Sequence, residues 1–361
     1  MKKVMVYAYT NLNFGDDLFI KILLERYPDV EFKLYTYPCY KEVFAEHGNL
    51  RVCSNANIIA KLTNFVGSIF CRKNLYENIL AMLCDACVYI GGSLFIQGAN
   101  WREHLRYISG RRVANKPFFL LGANFGPYTE SDFYSEHNNL FASYTDVCFR
   151  DRYSYELFCN LANVRLCPDI VFSYEPRLLG IVKKQVSISV LGLVDKPNIA
   201  KFTKDYHRKI AELCVAFVEA GYSVNLVSFC QAEGDELAVE QVYALLDVGC
   251  AKSVSRVFYR GDIKQIIALF AESTAIIATR FHSMILGWIL EKPVYPILYS
   301  QKMKNVIDDI NIQASYVAIE DIARLQVCEL VRWLETTCAI NINKQKLESG
   351  GAFVKLDECL K

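Results

Sequence analysis

Apolar runs of strand length alternate with segments of helical periodicity through most of this 361-residue chain. The second half alone contains five such strand-like runs, at about 186–191, 223–229, 255–259, 275–279 and 293–298. Helical patterns separate them, and strands joined through helices pair in parallel, because a parallel connection needs a crossover of a dozen residues or more. The alternation therefore predicts an α/β architecture with parallel sheets covered by helices.

The length of the chain and one interruption of the pattern predict two domains. The chain is longer than one ordinary hydrophobic core requires. The alternation stops in the segment 175–185, where a proline, a glycine and two lysines predict a linker. We expect an N-terminal domain over 1–178, a C-terminal domain over 186–320, and a helix with a polar tail over 321–361. The expected fold class is α/β, with two doubly wound Rossmann-like domains facing each other across a cleft.

Charge and cysteine usage exclude several classes of protein. Lys and Arg number 40 against 39 Asp and Glu, so the chain lacks the strong positive field of a nucleic-acid binder. No apolar run reaches the ~18 residues of a membrane-spanning helix. Without an export signal, the 14 cysteines indicate a reducing, cytoplasmic location. Seven of them lie in apolar runs and are predicted to be small buried residues: Cys84, Cys87, Cys148, Cys159, Cys167, Cys214 and Cys230.

Cys84 and Cys87 form a Cys-x-x-Cys motif, which also occurs in zinc and redox sites. A zinc site requires a second pair of ligands at similar spacing, and the sequence offers no convincing pair. We therefore expect two packed thiols and no metal site.

A stripe of large apolar residues lies between Asn57 and Phe70 at helical spacing. Its members are Ile58, Ile59, Leu62, Phe65, Val66, Ile69 and Phe70, with Lys61, Arg72 and Lys73 nearby. Two interpretations stay open. The stripe is either the buried face or flap of a core helix, or a peripheral contact with a membrane surface.

Arg280 and His282 occupy the turn after the apolar run 275–279, and an apolar helix follows from about Ser283. In open α/β proteins ligands bind at the carboxyl ends of the parallel strands, so this turn is well placed for chemistry. The structural alternative is that Arg280 pairs with a carboxylate and His282 caps the helix.

Three other strand ends resemble this one. Asn13-Phe14-Gly15-Asp16 leads into a helix that Asp16 or Asp17 is expected to cap, and Gly15 lets a ligand approach the backbone. Gly91-Gly92 and Arg150-Asp151 follow two further strands, with Asp151 or Ser154 expected to cap the next helix. Gly-x-Gly-x-x-Gly and Walker motifs are absent. Two arginines and a histidine suit transfer chemistry on a ligand that has both a carboxylate and a phosphate.

These motifs together resemble the polysaccharide pyruvyl transferase family. The resemblance spans about residues 10–300 and rests on six short motifs in order: Asn13-Phe14-Gly15-Asp16, Gly91-Gly92-Ser93-Leu94-Phe95, Gly122 to Pro127, Arg150-Asp151-Arg152-Tyr153-Ser154, Pro168-Asp169 and Arg280-Phe281-His282-Ser283. Two departures are Ser93, where members often have a third glycine, and Ala123, where a glutamine commonly follows Gly122.

The resemblance implies a GT-B-like fold and no cofactor. Phosphoenolpyruvate would be the donor, a saccharide that is often lipid-linked would be the acceptor, and a pyruvate ketal would be the product. Arg280 and Arg150 would hold the donor, and His282 would act as general acid or base. Asp16 would bind or deprotonate the acceptor unless it is only a helix cap. The remaining expected substrate-binding residues are Asn13, Gly15, Gly91, Gly92 and Ser283.

Two other functions stay open. A nucleotide-sugar glycosyltransferase of similar fold would use Arg280 for the diphosphate and Asp235 or Glu236 for the ribose. A non-catalytic relative would keep the fold and only recognise glycans. For the pyruvyl transferase, we expect a cytoplasmic enzyme that works at the inner face of the membrane when its acceptor is lipid-linked.

Overall fold

The structure is a computed structural model that describes residues 1–69, 74–176, 180–311 and 314–361. The chain forms two compact units. The first unit comprises Met1–Thr10, Leu18–Ser173 and Leu347–Lys361, and the second comprises Asn11–Asp17 and Tyr174–Lys346. Three of the residues in the expected linker, 177–179, lie outside the described part of the chain.

The first unit is built on a parallel sheet. In the described residues its strands are β1 (Lys3–Tyr7), β2 (Glu31–Thr36), β3 (Leu50–Ser54), β4 (Ala86–Ile90), β5 (Phe118–Ala123), β6 (Asp146–Phe149) and β7 (Val164–Leu166). They are arranged in the order β3-β2-β1-β4-β5-β6-β7. The helices up to β7 are α1 (Phe14–Arg26), α2 (Tyr40–Val43), α3 (Ile58–Ile69), α4 (Leu75–Met82), α5 (Trp101–Ser109), α6 (Ser131–Ala142) and α7 (Arg152–Phe158).

The central strands of this sheet are covered on both faces. Every residue of β4, β5 and β6 is buried, as expected for parallel strands between two layers of helices. Cys84 and Cys87 lie in this core, which confirms that they are packed thiols. The prediction was wrong for Cys159, which is exposed because it terminates α7 at the surface.

The second unit contains another parallel sheet. Its strands are β8 (Gln185–Val190), β9 (Ser223–Ser228), β10 (Val254–Phe258), β11 (Ala275–Ala278), β12 (Val294–Leu298) and β13 (Val317–Ala318), in the order β10-β9-β8-β11-β12-β13. The α-helices are α8 (Thr203–Glu219), α9 (Asp235–Tyr243), α10 (Val248–Ala251), α11 (Ile263–Ala271), α12 (Phe281–Ile289), α13 (Gln301–Asp309) and α14 (Val327–Thr336). The two sheets confirm the α/β class with two Rossmann-like domains.

The C-terminal part of the chain differs from the prediction. The single helix expected at the start of the segment 321–361 is a 3-10 helix, Ile319–Arg324, followed by α14, because the chain is extended at Leu325 and Gln326. The tail contains α15 (Asn343–Ser349) and α16 (Val354–Leu360) and returns to the first unit. Its position there is fixed by Asp357, which accepts a 2.6 Å hydrogen bond from the hydroxyl of Tyr27.

The apolar stripe of 57–69 faces away from the protein. Ala60 and Gly67 are the buried residues of α3, whereas its large apolar side chains are exposed. The interpretation as a buried helix face is therefore wrong for the described residues, because the small side chains form the packed face. Phe70, Arg72 and Lys73 lie outside them. Over the described ranges, no helix is both long enough and apolar enough to cross a membrane.

Candidate active site

Arg280 lies where the strand order of the second sheet reverses. This point is between β8 and β11, the crevice in which ligands of open α/β sheets bind. All four residues of β11 are buried, and Ala275 is opposite Val186 of β8. Arg280 is extended (φ −83°, ψ 137°) and immediately precedes α12. The local sequence therefore places Arg280 at the carboxyl edge of the second sheet, as predicted, and its contact with a ligand stays a prediction.

The guanidinium of Arg280 is paired with two carboxylates. Its Nε donates to Asp235 Oδ2 at 2.8 Å, its Nη2 donates to Asp235 Oδ1, and its Nη1 donates to Glu233 Oε2 at 2.6 Å. Arg280 is buried, which by itself would lower its pKa, but the charges of Asp235 and Glu233 raise the pKa well above its usual value. This arrangement agrees with the structural alternative from the sequence, in which Arg280 pairs with a carboxylate.

Asp235 holds together the turns that surround Arg280. Its carboxylate accepts hydrogen bonds from the backbone N–H groups of Gly192 (2.9 Å), Phe229 (3.1 Å) and Cys230 (3.0 Å). These residues follow β8 and β9, so one fully buried carboxylate fixes two neighbouring strand ends and the arginine. Sequence reasoning considered Asp235 only as a ribose ligand. The available signal was an acidic residue at the start of the helix that follows β9, the strand next to β8.

Glu233 is the more accessible partner of Arg280. Its Oε1 accepts from Asn13 Nδ2 at 3.1 Å, and its Oε2 lies 3.5 Å from Lys196 Nζ. Burial by itself would raise the pKa of Glu233, but the charges of Arg280 and then Lys196 lower it to about 2. Glu233 is therefore ionised at neutral pH, and it joins Arg280 to two groups nearer the surface. Sequence reasoning missed Glu233 and Lys196.

The segment 11–17 joins the second unit. Phe14 N donates to Phe229 O at 3.0 Å, Asn13 forms an antiparallel bridge with Cys230, and the hydroxyl of Tyr259 donates to Asp17 Oδ2 at 2.8 Å. These contacts explain why the first strand-end motif, expected in the N-terminal domain, lies beside Arg280 instead.

Gly15 is packed directly against His282. A Cβ atom at position 15 would lie 1.8 Å from His282 Nδ1, a separation that no side chain permits. Gly15 is therefore required for the observed position of the half-buried imidazole. The close neighbour of Gly15 in the structure is a histidine of the same chain, and the expected approach of a ligand stays a prediction.

The helix cap expected at Asp16 or Asp17 is provided by Asn13. This residue precedes α1, and its Oδ1 accepts from the N–H of Gly15 at 3.0 Å. Asp16 lies half-buried in the first turn of α1, so its role toward an acceptor stays a prediction.

Ser283 supports the backbone of Arg280 from inside the protein. Its hydroxyl donates to Arg280 O at 2.7 Å and is hydrogen-bonded to Ser189 Oγ at 2.6 Å. Ser189 Oγ in turn accepts from the N–H of Arg280 at 3.1 Å. Since Ser283 is fully buried, its observed contacts position Arg280, and the substrate contact expected of it stays a prediction.

Lys302 provides another positive charge at this edge, in the first turn of α13. Its Nζ lies 5.2 Å from the ring centroid of Tyr299 and 5.7 Å from that of Phe281. Burial raises the pKa of Tyr299, but the charges of Lys302 and Arg280 outweigh it, and the pKa is lowered. Sequence reasoning did not consider Lys302, although it lies at the start of the helix that follows β12.

Arg150 occupies a strand-to-helix turn of the first unit, after β6. Its Nη1 donates to Asp169 Oδ2 at 2.8 Å, and its Nη2 donates to Asn124 Oδ1 at 2.6 Å. The guanidinium lies against Gly92, where a Cβ would be 2.4 Å from Arg150 Nη1. Gly91, the residue before Gly92, has a φ of 149°.

Asp151, the residue after Arg150, caps α7 by accepting a hydrogen bond from Ser154 N at 2.7 Å, which confirms one of the two expected caps.

A model of the polysaccharide pyruvyl transferase family matches residues 13–301. This range begins at Asn13 and includes His282. The chain belongs to this family. The assignment confirms the resemblance drawn from the six motifs.

A curated relative of this pyruvyl transferase family member is the amylovoran biosynthesis protein AmsJ of Erwinia amylovora. The two are 23% identical over 252 residues, which is 63% of this chain. The match spans only 60% of the length of AmsJ.

Solved structures of other proteins share the fold of this pyruvyl transferase family member. One is Anabaena HepE in complex with UDP and glucose, at a TM-score of 0.59 and 14% identity, covering 100% of this chain and 99% of that one. Another is the UDP-GlcNAc 2-epimerase of Methanocaldococcus jannaschii, at a TM-score of 0.59 and 9% identity, covering 99% of each. At such low identity the likeness establishes the GT-B-like fold alone.

Proposed function

We propose that this protein transfers the pyruvyl group of phosphoenolpyruvate onto two hydroxyls of a saccharide, forming a pyruvate ketal. The observation that carries the proposal is a cluster of three basic side chains around Glu233, at the strand-order reversal where the turn of the second sheet also carries His282. Those side chains are Arg280, Lys196 and Lys302. Family membership supports the same reaction.

The donor binds, in this proposal, at the carboxyl edge of the second sheet. The helices α12 and α13 both begin there, and a helix N-terminus favours anions. Lys302 lies in the first turn of α13 and Lys196 follows β8. Their charges suit a phosphate and a carboxylate better than a neutral sugar.

Arg280 can contact the donor while it stays paired. A guanidinium has five N–H donors, and the bonds to Asp235 and Glu233 use three of them. The two carboxylates therefore hold the guanidinium plane in one orientation before the donor arrives, which reduces the reorganisation that binding requires.

His282 is the proposed acid for the donor. It gives a proton to the methylene carbon of the enolpyruvate, which becomes a methyl group, and one sugar hydroxyl forms a bond to the adjacent carbon. The bond from that carbon to the phosphate oxygen then breaks, and phosphate leaves with the electron pair. The second hydroxyl closes the ketal. The two hydroxyl protons replace the proton given by His282 and protonate the phosphate.

Arg150 has no step in this mechanism. Its guanidinium is paired with Asp169 and Asn124, and both members of the ion pair are almost fully buried. We therefore assign the donor to residues of the second unit and a structural contribution to Arg150.

A nucleotide-sugar glycosyltransferase is less favoured, because the acidic residues that it would need for the ribose are already paired. Asp235 is bound to Arg280, and Glu236 pairs with Arg260 at 2.8 Å, so both proposed ribose ligands already have cationic partners. A ribose would have to compete with these arginines for the same carboxylates.

Thermal unfolding and phosphorus NMR test the proposal together. We expect phosphoenolpyruvate to raise the midpoint of unfolding, UDP-sugars to leave it unchanged, and inorganic phosphate to appear only when a saccharide acceptor is added. His282→Gln should retain the protection and lose phosphate release. Protection by a UDP-sugar without protection by phosphoenolpyruvate would support the glycosyltransferase. Glycan binding with no turnover of either donor would support the non-catalytic module.

A further inference from the structure

We propose that α3 docks the protein onto the surface of an anionic lipid bilayer. Six large apolar side chains of this helix are between 47% and 71% exposed, namely Ile58, Ile59, Leu62, Phe65, Val66 and Ile69. Their spacing places them on one face over three turns. A continuous exposed apolar face of this kind marks an interaction surface.

The opposite face of α3 is built for contact with the protein. The small residues Ala60 and Gly67 are buried there. The side chain of Asn64 donates to the hydroxyl of Tyr35 at 3.1 Å and accepts from the N–H of Tyr76 at 3.0 Å. These two hydrogen bonds fix the rotation of the helix about its axis, so the apolar stripe is held outward.

The adjacent helix α4 also exposes large apolar side chains. It packs against α3 and exposes Ile79 and Met82, and Leu83 follows at its end, 63% exposed. The patch formed by these side chains and the stripe of α3 is called the α3–α4 patch below.

The charge of the surrounding sequence favours a lipid bilayer over a second copy of the chain as the partner of the α3–α4 patch. Between Glu46 and Glu77 the sequence has no acidic residue, while its basic residues are Arg51, Lys61, Arg72 and Lys73. Lys61 is exposed on α3, and the last two lie outside the described residues. Two copies facing each other through the α3–α4 patch would bring like charges together, whereas an anionic bilayer attracts them.

Vesicle flotation with the full chain tests this inference. We expect the protein to float with vesicles of phosphatidylcholine and phosphatidylglycerol, and less with phosphatidylcholine alone. The double variant Phe65→Ser/Ile69→Ser should lower the bound-to-free ratio about tenfold or more, because two large apolar side chains leave the interface. Lys61→Glu should weaken only the dependence on the anionic lipid. Leu347→Ser and Val248→Ser, which alter exposed apolar residues outside the patch, should bind as the natural chain does.

A fluorescence measurement reports insertion directly. Phe65→Trp should show a shift of emission to shorter wavelength on mixing with the anionic vesicles, because the indole leaves water. An unchanged emission maximum together with no flotation at low salt would overturn the inference. It would also be overturned if Phe65→Ser/Ile69→Ser abolished a concentration-dependent dimer without changing vesicle binding, since the patch would then serve a second copy. These readouts do not require turnover, so they are independent of the proposed reaction.

Discussion

Arg150 and Arg280 each lie in a strand-to-helix turn, one in each unit, and their surroundings differ. Each follows a buried strand, precedes a helix and pairs with a buried aspartate. Arg150 is enclosed, because its other partner is the amide oxygen of Asn124 and Gly92 lies beneath it. Arg280 is also bound to Glu233, which is 27% exposed and connects it to Lys196 and Asn13. The same local motif thus forms an enclosed support in one unit and a cluster linked to the surface in the other.

The largest expected effect comes from filling the space beside His282. Gly15→Ala should reduce phosphate release from phosphoenolpyruvate about 10²–10⁴-fold, because the new Cβ displaces the imidazole that we propose as the acid. The midpoint of thermal unfolding should hardly change, since alanine suits a helix and the ring can rotate away.

Gly48→Ala is the matched control, because nothing lies within 4 Å of a Cβ at that exposed position. Normal turnover by Gly15→Ala would show that the position of His282 is not needed for the reaction.

Removing Arg150 tests whether the first unit has only a structural arginine. Arg150→Ala leaves the buried Asp169 without its cation, so we expect a loss of about 3–5 kcal/mol and a fall of about 10 °C in the unfolding midpoint. Arg324→Ala, which breaks only an exposed i,i+3 pair with Asp321, should change stability by about 1 kcal/mol or less. A stable Arg150→Ala protein that no longer binds phosphoenolpyruvate would instead assign Arg150 to the donor.

The pH dependence of stability tests the charge of Glu233. Its pKa is depressed to about 2 from an ordinary value of 4.5, so its stabilising contribution is present above about pH 4.5 and is lost as the pH falls toward 2. The contribution amounts to about 3 kcal/mol at most. Relative to the natural chain, Glu233→Gln should therefore be less stable near pH 6, and the difference should shrink below pH 4.5. A difference that does not vary with pH would rule out this role for the charge.

The smallest expected effect is on donor affinity. Lys302→Ala should raise the KM for phosphoenolpyruvate about five- to tenfold with kcat within about twofold, and added salt should reduce the difference. Lys304→Ala removes a lysine of the same helix that pairs with Asp308 at the surface, and it should leave both constants unchanged. Equal effects of the two substitutions on KM would mean that Lys302 contributes only to the overall electrostatic potential of the protein and makes no specific contact with the donor.

Several elements were predictable because their signals are local. The apolar run 275–279 has strand length, and β11 covers its first four residues, Ala275–Ala278. The Asp151 cap is similarly encoded by a residue three positions before Ser154. The break near Leu325 was missed because the apolar period continues across it, so periodicity alone could not separate the 3-10 helix from α14.

The partners of the site residues required the folded chain. Asp235 is 45 positions from Arg280, and Gly15 is still farther from His282 in sequence, so no local period relates them. The stripe of α3 was visible in the sequence, but its direction depends on the hydrogen bonds of Asn64 with Tyr35 and Tyr76.

The sequence by itself determined the alternation of strands and helices, the family, and the placement of Arg280 and His282 at a strand end. Each of these follows from short-range patterns of apolar residues, caps and glycines. Only the tertiary structure decided which carboxylates neutralise Arg280, that Gly15 lies against His282, and which face of α3 is exposed. The physical reason is that burying a charge or covering an apolar face depends on atoms brought together from distant parts of the chain.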